Sequence, residues 1–386
     1  MRRHLTVLAA GVVLLASTLL LPHGEAASKV PDPMAMGPYP VGVTTTLLVD
    51  KSRTDSFTKE PRTLVTEIWY PATDDARGKP KNKYSDFIPG KVTPEIESLL
   101  SATYKMPLAE LDQRFRDYSV RDANVRKGKF PLVVFSHGNG GSRHQNTFWC
   151  DYLASHGYVV VSADHTGNAR MTVINGKVIR NQAAERRNSA VDRPKDMSFL
   201  LDEMTRWNEG ADKRFAGRLD LAKVTAAGMS FGSMTAIRVA DLDPRFKAVI
   251  AMSGAYPERT NRTVPSLLML GTEDLTIGEK GNEIIRSHHA KHTGPSYLLE
   301  LKNGGHFSFT DIFKINKNFG DGAGTGKRRE TGEAFNYTSM EKTYAIINSY
   351  SVAFLGVYVK GEREYLEFLK NNRWPDELIW KYSGVE

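Results

Sequence analysis

The chain has 386 residues, of which 40% are hydrophobic and 25% charged, a composition typical of a globular protein and not of a disordered chain or a multi-span membrane protein. Its one cysteine, Cys150, excludes an intramolecular disulfide and any zinc site built from cysteine pairs. The formal net charge of +8 favours weak association with anionic surfaces but is too diffuse to indicate nucleic-acid binding.

The first 26 residues have the pattern of a secretory signal peptide. Two arginines precede an uncharged, largely apolar run over 5–21, and Gly24 and Ala26 provide small side chains just before the expected cut. The pattern predicts cleavage after Ala26 and a secreted or periplasmic protein. An uncleaved membrane anchor is the alternative, because the run approaches the roughly 17 to 25 residues that span a bilayer.

Residues 27–386 are expected to form a single domain that opens with two strands. Segments 41–49 and 64–70 are rich in β-branched and aromatic residues, which predicts an antiparallel pair. The polar stretch over 71–129 follows and contains two segments with helical periodicity. We therefore expect an insertion that covers the sheet.

From residue 130 onward, apolar strands alternate with helices. Each predicted strand is a short, continuous apolar run, as is typical of strands buried on both faces of a parallel sheet. The predicted strands are 131–135, 158–162, 224–227, 248–252, 266–270 and 297–301. The predicted helices between them are 145–155, 194–207, 233–240 and 282–289. This alternation predicts a doubly wound, mostly parallel α/β sheet.

Two long excursions interrupt the alternation, at 166–192 and near 317–337. Segments of this length inside a domain are usually functional or disordered. The second excursion contains the run DGAGTG, which lacks the Lys-Ser ending of a phosphate-binding loop and does not follow a strand. Its glycines therefore do not predict nucleotide binding. Predicted helices over 340–359 and 363–369 close the chain.

The strongest chemical signal is the run Gly-Met-Ser-Phe-Gly at 228–232. It directly follows the predicted strand 224–227 and precedes a helix, which is the context of a nucleophile elbow. Glycines permit the tight turn, and the helix N-terminus favours the negative charge that develops during acyl transfer. The pattern predicts Ser230 as a nucleophile.

A serine hydroxyl needs a general base, and one histidine follows the last strand of the predicted parallel sheet. Residues 303–307 read Asn-Gly-Gly-His-Phe, and the two glycines allow a sharp turn after Leu301. His306 is therefore expected at the same sheet edge as Ser230, where it would act as the base. An ordinary loop role for His306 is the alternative.

Two acidic residues, Glu273 and Asp274, follow the strand 266–270 and are candidates for the carboxylate that orients His306. Asp274 is preferred because Ser, Asp, His is the order in which these groups follow one another in this kind of fold. A helix cap before Ile277 is the alternative role for either carboxylate.

Backbone N–H groups are expected to bind the oxyanion that forms during acyl transfer. Residues 136–140 read Ser-His-Gly-Asn-Gly after the strand 131–135. Glycine-rich backbone at this point commonly donates one N–H group, and the residue after the nucleophile donates the other. The oxyanion candidates are therefore the amides of Asn139 and Phe231.

No metal and no cofactor is predicted. His288 and His292 have the spacing of a helical metal pair, but the sequence nominates no third ligand. Their polar neighbours favour a solvated helix end. The chemistry assigned to Ser230 and His306 needs neither a metal nor a cofactor.

The chain resembles bacterial relatives of platelet-activating factor acetylhydrolase and, more loosely, dienelactone hydrolases and polyester cutinases. The likeness covers most of the chain after the signal segment. It rests on five motifs, GPYPVG at 37–42, EIWYP at 67–71, FSHG at 135–138, DHTGN at 164–168 and GMSFG at 228–232. It implies an α/β-hydrolase fold with antiparallel N-terminal strands and helical and loop insertions. It also implies metal-independent hydrolysis of short or oxidised acyl chains from small-molecule or lipid esters.

One position departs from the acetylhydrolase pattern. These relatives place their acid after the strand that follows the nucleophile helix, where this chain has Ser253 and no carboxylate. Asp274, after the next strand, resembles the position used by cutinases. The departure weakens a transfer of substrate identity and leaves ester hydrolysis intact.

Together these features predict a serine hydrolase that cleaves carboxylic esters through Ser230, His306 and Asp274, with an acyl-enzyme intermediate. An amidase or peptidase is the first alternative, because the same three groups serve both kinds of leaving group. A non-catalytic binding module is the second, although such proteins usually lack part of the triad. Acyl length and oligomeric state are not indicated by the sequence.

Overall fold

The structure, a computed structural model, describes residues 30–115, 117–182, 186–256, 263–311 and 320–385. The predicted signal segment and its cleavage site at Ala26 lie outside these residues, as does the start of the second excursion. From Pro31 onward the chain forms one compact unit. In the ranges that the structure describes, no helix is long and apolar enough to cross a membrane.

A ten-stranded sheet runs through the described part of the chain. In chain order the strands are β1 (Val41–Thr54), β2 (Pro61–Pro71), β3 (Ser119–Arg121), β4 (Phe130–Ser136), β5 (Val159–Ala163), β6 (Met171–Ile174), β7 (Lys177–Arg180), β8 (Leu219–Met229), β9 (Phe246–Met252), β10 (Ser266–Gly271), β11 (Ser296–Leu301), β12 (Thr325–Lys327), β13 (Ala334–Asn336) and β14 (Leu378–Ser383). The large sheet has the order β14-β11-β10-β9-β8-β4-β5-β2-β1-β3, and β6–β7 and β12–β13 are separate hairpins.

The middle of the sheet is parallel, from β5 through β4, β8, β9 and β10 to β11. These strands contain continuous buried apolar runs, because helices cover both of their faces. β1 and β2 are antiparallel to each other, and β2 is antiparallel to β5. The predicted mostly parallel sheet with antiparallel N-terminal strands is confirmed. β14 was not predicted, since half of the residues of this antiparallel edge strand are exposed and its apolar run is only three residues long.

Helices pack on both faces of the sheet. In chain order they are α1 (Pro94–Tyr104), α2 (Leu108–Arg114), α3 (Thr147–Ser155), α4 (Arg186–Arg206), α5 (Phe231–Leu242), α6 (Gly278–Lys291), α7 (Met340–Leu355) and α8 (Tyr365–Lys370). Apolar side chains of α4, α5 and α6 share one core cluster with Val134 and other alternate residues of the parallel strands. Trp149 of α3 packs against Phe135, the neighbour of Val134, so α3 lies on the opposite face.

Helix α4 begins at Arg186, eight residues before the predicted start, and contains Pro194 in its interior. The predicted start was wrong because residues 186–193 are mostly polar, so no apolar periodicity marks the first turns, and a proline usually marks a helix start. Within the 166–192 excursion, residues 171–180 form the β6–β7 hairpin.

Three parallel strands bring the predicted chemical residues to one edge of the sheet. Ser230 follows β8, Asp274 follows β10 and His306 follows β11. Because the carboxyl ends of parallel strands meet at the same edge, the loops after these strands converge there.

Candidate active site

Ser230 occupies the sharp turn between β8 and α5. Its backbone has φ 57° and ψ −120°, a strained conformation for a residue with a side chain. Its N–H donates to the Met252 carbonyl (2.7 Å), which helps hold the turn. A Cβ atom on Gly232 would lie 1.8 Å from the Ser136 carbonyl oxygen, so only glycine fits there. The sequence therefore forms the predicted elbow.

The three predicted triad side chains form a continuous hydrogen-bonded chain. His306 Nε2 lies 2.9 Å from Ser230 Oγ, and His306 Nδ1 lies 2.7 Å from Asp274 Oδ2. Because an ionised carboxylate only accepts, Nδ1 carries the proton and Nε2 is free to accept the serine proton. His306 is 3% exposed and Asp274 is fully buried. This arrangement can deprotonate the serine.

Asp274 is held by more than its bond to the imidazole. Its Oδ1 accepts the N–H groups of Thr276 and Ile277, both at 2.9 Å. Burial raises the pKa of this carboxyl, but hydrogen bonds from His306 and Ser253 outweigh burial and hold the pKa below its usual value. The carboxylate is therefore ionised near neutral pH. The bonds from Thr276 and Ile277 close the turn before α6, whose N-terminus has no side-chain cap, so the alternative role as a helix cap is not observed.

Glu273, the other acidic candidate, is directed elsewhere. Its Oε1 accepts a hydrogen bond from Arg328 Nη1 (2.9 Å), and its backbone N–H donates to the Gly304 carbonyl (2.8 Å). Of the two neighbouring carboxylates, the geometry brings only Asp274 to His306.

Ser253 is a further polar contact of the triad. It follows β9 and has φ 55°. Its hydroxyl donates to Asp274 Oδ2 (2.5 Å) and lies 3.0 Å from His306 Nδ1. The sequence identifies this position only as one that lacks an acid. In the structure its side chain contacts both Asp274 and His306.

Asp321, which the sequence does not predict as a site residue, links the loops that carry Asp274 and His306. Its Oδ1 accepts the N–H groups of His306 (3.0 Å) and Leu275 (2.9 Å), and its Oδ2 accepts the Thr276 hydroxyl (2.7 Å). Its backbone carbonyl accepts the Phe307 N–H at 2.9 Å. The second excursion thus fixes the distance between the two loops.

The oxyanion candidates flank Ser230. Phe231 is the first residue of α5, and Asn139 lies in the turn after β4. Within that turn, the Gly138 N–H donates to Gln145 Oε1 (3.1 Å) and the Gly140 N–H donates to the Asn168 carbonyl (3.1 Å). Among the described residues, no group accepts the N–H of Asn139. These contacts leave Asn139 as the donor that this turn offers, and its oxyanion role stays a prediction.

A cavity of about 690 Å³ opens above Ser230 and His306. The 71–129 insertion, the β6–β7 hairpin and α6 all contribute apolar walls, namely Phe87, Leu99, Leu100, Phe115, Met171, Val173 and Ile284. Arg170 and Lys280 also line it. The insertion thus covers the site, and the first excursion forms part of the same wall. The volume and lining are typical of a small-molecule site.

His288, in the last turn of α6, and His292, directly after the helix, have no ligand-like arrangement. His292 Nε2 is 3.0 Å from the Val264 carbonyl, and the rings of His288 and His292 stack with centroids 6.3 Å apart. In the described ranges, no three His, Cys, Asp or Glu side chains are grouped so as to hold a metal ion.

The parallel sheet, with an elbow after β8 and helices on both faces, defines an α/β-hydrolase. The chain belongs to the dienelactone hydrolase family, whose family model matches residues 115–310. That match contains Ser230, Asp274 and His306. A second family model, described as platelet-activating factor acetylhydrolase, isoform II, matches residues 25–199.

Individual relatives agree with these family matches. A platelet-activating factor acetylhydrolase from Cavia porcellus is 23% identical over 385 residues, covering 90% of this chain and 82% of the relative. The solved structure of a ferulic acid esterase from Streptomyces cinnamoneus superimposes with a TM-score of 0.65 at 26% identity, covering 84% of this chain and 91% of that chain. This chain is accordingly a carboxylic ester hydrolase, and the predicted class of enzyme is confirmed.

Proposed function

We propose that the protein hydrolyses carboxylic esters through an acyl-enzyme on Ser230, with His306 as general base and Asp274 as the residue that orients it. The observation that carries this proposal is the hydrogen-bonded chain from Ser230 Oγ through His306 to Asp274 at the floor of the cavity. Nucleophile, base and orienting carboxylate have the geometry that acyl transfer requires.

In the first step Ser230 Oγ attacks the ester carbonyl carbon while His306 Nε2 takes the hydroxyl proton. The tetrahedral intermediate collapses, the ester C–O bond breaks, and His306 returns the proton to the departing alkoxide. Water then attacks the acyl-enzyme with the same base, which releases the carboxylic acid and restores Ser230. Asp274 fixes the tautomer of His306 and stabilises the imidazolium in both steps.

The oxyanion is bound by the backbone N–H groups of Phe231 and Asn139. The Phe231 N–H lies at the start of α5, where the helix dipole also favours negative charge. The cavity supports a substrate with an apolar or aromatic portion, since its walls are largely aliphatic and aromatic side chains. The relatives are named for platelet-activating factor and for ferulic acid, so the substrate class extends to short-chain acyl esters and lipid esters.

Export belongs to the same proposal. The basic start, the apolar run over 5–21 and the small residue Ala26 support cleavage near Ala26 and a secreted or periplasmic enzyme.

A fluorophosphonate probe tests the nucleophile. The protein should be labelled covalently at Ser230, identified by peptide mass spectrometry, and Ser230→Ala should lose both labelling and turnover of a chromogenic ester. Ser52→Ala, at an exposed serine on β1, is the matched control and should keep both. Retained turnover in Ser230→Ala would overturn the proposal. A paired amide analogue hydrolysed faster than the ester would favour the amidase alternative, and no labelling at all would favour a binding module.

A further inference from the structure

Arg193 of α4 is a buried cation behind the oxyanion turn. Its side chain has no exposed surface, and within the described residues no carboxylate forms an ion pair with it. Burying an arginine without a direct counter-ion is costly, so such residues are usually retained for a specific role. The proposed triad mechanism gives this side chain no role.

The guanidinium holds the turn after β4 from behind. Its Nη2 donates to Ser136 Oγ (2.9 Å) and to the His137 carbonyl oxygen. These two residues directly precede Gly138 and Asn139, whose backbone forms one side of the oxyanion site. Arg193 therefore fixes the position from which this turn approaches Ser230.

The same side chain reaches both oxyanion candidates. Its guanidinium carbon lies 4.6 Å from the centre of the Phe231 ring, a cation–π contact. Its Nη1 donates to Asn168 Oδ1 (3.1 Å), and Asn168 Nδ2 in turn donates to Asn139 Oδ1 (2.9 Å). One buried cation thus supports Phe231 directly and Asn139 through one amide side chain.

A chain of hydrogen bonds with one consistent direction holds Arg193 in place. Ser136 Oγ accepts from Arg193 and donates to His165 Nε2 (2.9 Å), and His165 Nδ1 donates to Asp196 Oδ2 (2.9 Å). This direction requires a neutral His165, and burial lowers the pKa of His165 to about 3. Asp196 also accepts from Arg62, so the network ends on a paired carboxylate.

We propose that Arg193 is a positioning residue of the oxyanion site, which fixes the Phe231 and Asn139 amides and supplies buried positive charge behind them. This inference rests on the proposed function. Burial lowers the pKa of Arg193 to about 9, so the side chain remains charged near neutral pH. A fixed charge in a water-poor site acts on the negative charge of the transition state, and the neutral ester gains little from it. Arg193 should therefore affect kcat and leave KM nearly unchanged.

The experiment compares Arg193→Lys and Arg193→Met with Arg62→Lys as the control. Arg62 is also buried, but it bonds Asp55, Asp196 and the Thr166 carbonyl and none of the oxyanion residues. A lysine at this position keeps a positive charge beside Asp196, so the chain of hydrogen bonds that links Asp196 to Arg193 is expected to persist. Active sites are counted with the fluorophosphonate, so that misfolded protein does not enter kcat. Affinity for a trifluoromethyl ketone, which forms an oxyanion on the serine, is measured alongside the affinity of the corresponding alcohol, which does not.

Arg193→Lys should lower kcat per titrated site by about 10- to 100-fold, below the roughly 10²- to 10³-fold cost of losing an oxyanion donor outright. Arg193→Met should lower kcat further. In both variants KM should change by less than about threefold. Affinity for the ketone should fall in parallel with kcat, and affinity for the alcohol should not. Arg62→Lys should keep kcat within about threefold, because the oxyanion contacts are intact.

An unchanged kcat in Arg193→Lys, or an equal loss in Arg62→Lys, would overturn the assignment. If neither Arg193 variant yields titratable sites, Asn168→Ala decides, since it removes the link to Asn139 and leaves the arginine in place. A lower kcat with constant KM then supports the proposal, and an unchanged kcat rejects it. Turnover retained by Ser230→Ala would instead reject the proposed function, so the two failures are distinguishable.

Discussion

The carboxylate of Asp321 accepts a hydrogen bond from the backbone N–H of His306 (3.0 Å). The same oxygen accepts the N–H of Leu275 (2.9 Å), the residue after Asp274. His306 and Asp274 are therefore linked through a third loop as well as through their own hydrogen bond. Asp321, in the glycine-rich excursion, thus contacts both of the loops that carry predicted triad residues.

Asp321→Ala should separate the two loops. It removes three hydrogen bonds at once, so we expect the free energy of unfolding to fall by about 1–3 kcal/mol. We also expect kcat to fall by about tenfold, because small displacements of a base are costly. Asp321→Asn should cost less, since Oδ1 can still accept both N–H groups. Urea denaturation and ester kinetics measure the two effects. Asp376→Asn, at an exposed surface residue, is the control, and equal kinetics in all three variants would contradict the role of Asp321.

The identity of the acid is tested by two neighbouring substitutions. Asp274→Asn keeps the size of the side chain but stabilises the wrong tautomer of His306, so turnover should fall by up to about four orders of magnitude. Glu273→Gln weakens only the bond to Arg328 and should cost less than about tenfold. Circular dichroism checks that both variants are folded. The opposite ranking would assign the orienting role to Glu273.

The sequence predicts that Ser230, Asp274 and His306 come together, because the signals for these residues are local. Ser230, Asp274 and His306 each follow a recognisable apolar strand, and parallel strands end at one edge, so pattern and topology suffice to bring them together. Asp321 and Arg193 follow no such strand, and Ser253 follows β9 but is not a carboxylate. Each acts through hydrogen bonds to residues distant in the chain, and the polar sequences around Arg193 and Asp321 resemble ordinary loops. For the same reason the first turns of α4, which are mostly polar, were not predicted as helix.

The pKa of Asp274 predicts how its contribution to stability depends on pH. The carboxyl is held below its usual pKa, since hydrogen bonds from His306 and Ser253 outweigh burial. Its contribution to the free energy of unfolding is therefore complete above the unfolded pKa of about 3.9 and is lost as pH falls through the lower folded pKa. The free energy of unfolding of wild type minus that of Asp274→Asn should thus be larger at pH 6 than at pH 3. Urea titrations at both pH values measure it, and a difference independent of pH would contradict the shift.

The N-terminus of the exported protein provides a separate test. If Ala26 precedes the cleavage site, intact-mass spectrometry of protein recovered from the medium or periplasm should find a chain that begins at Ala27, or within one or two residues of it. Protein that retains Met1 and sediments with membranes would identify the apolar run as an anchor.

The position of Ser253 predicts that a carboxylate at this position can replace Asp274 in orienting His306. Its hydroxyl lies 3.0 Å from His306 Nδ1, close to the 2.7 Å of Asp274, so a carboxylate at 253 is within reach of the imidazole. Its backbone is left-handed, a conformation that aspartate tolerates better than most residues. Ser253→Asp alone should lower activity, because two adjacent carboxylates repel and one of them takes up a proton. The double variant Ser253→Asp/Asp274→Asn should have a kcat at least about tenfold above that of Asp274→Asn alone. This gain is a small part of the roughly four orders of magnitude that Asp274→Asn is expected to lose. Ser253→Asn in the same background has the same size without the charge and should give no rescue. A folded double variant with no more activity than this control would show that the loop after β9 cannot support the base.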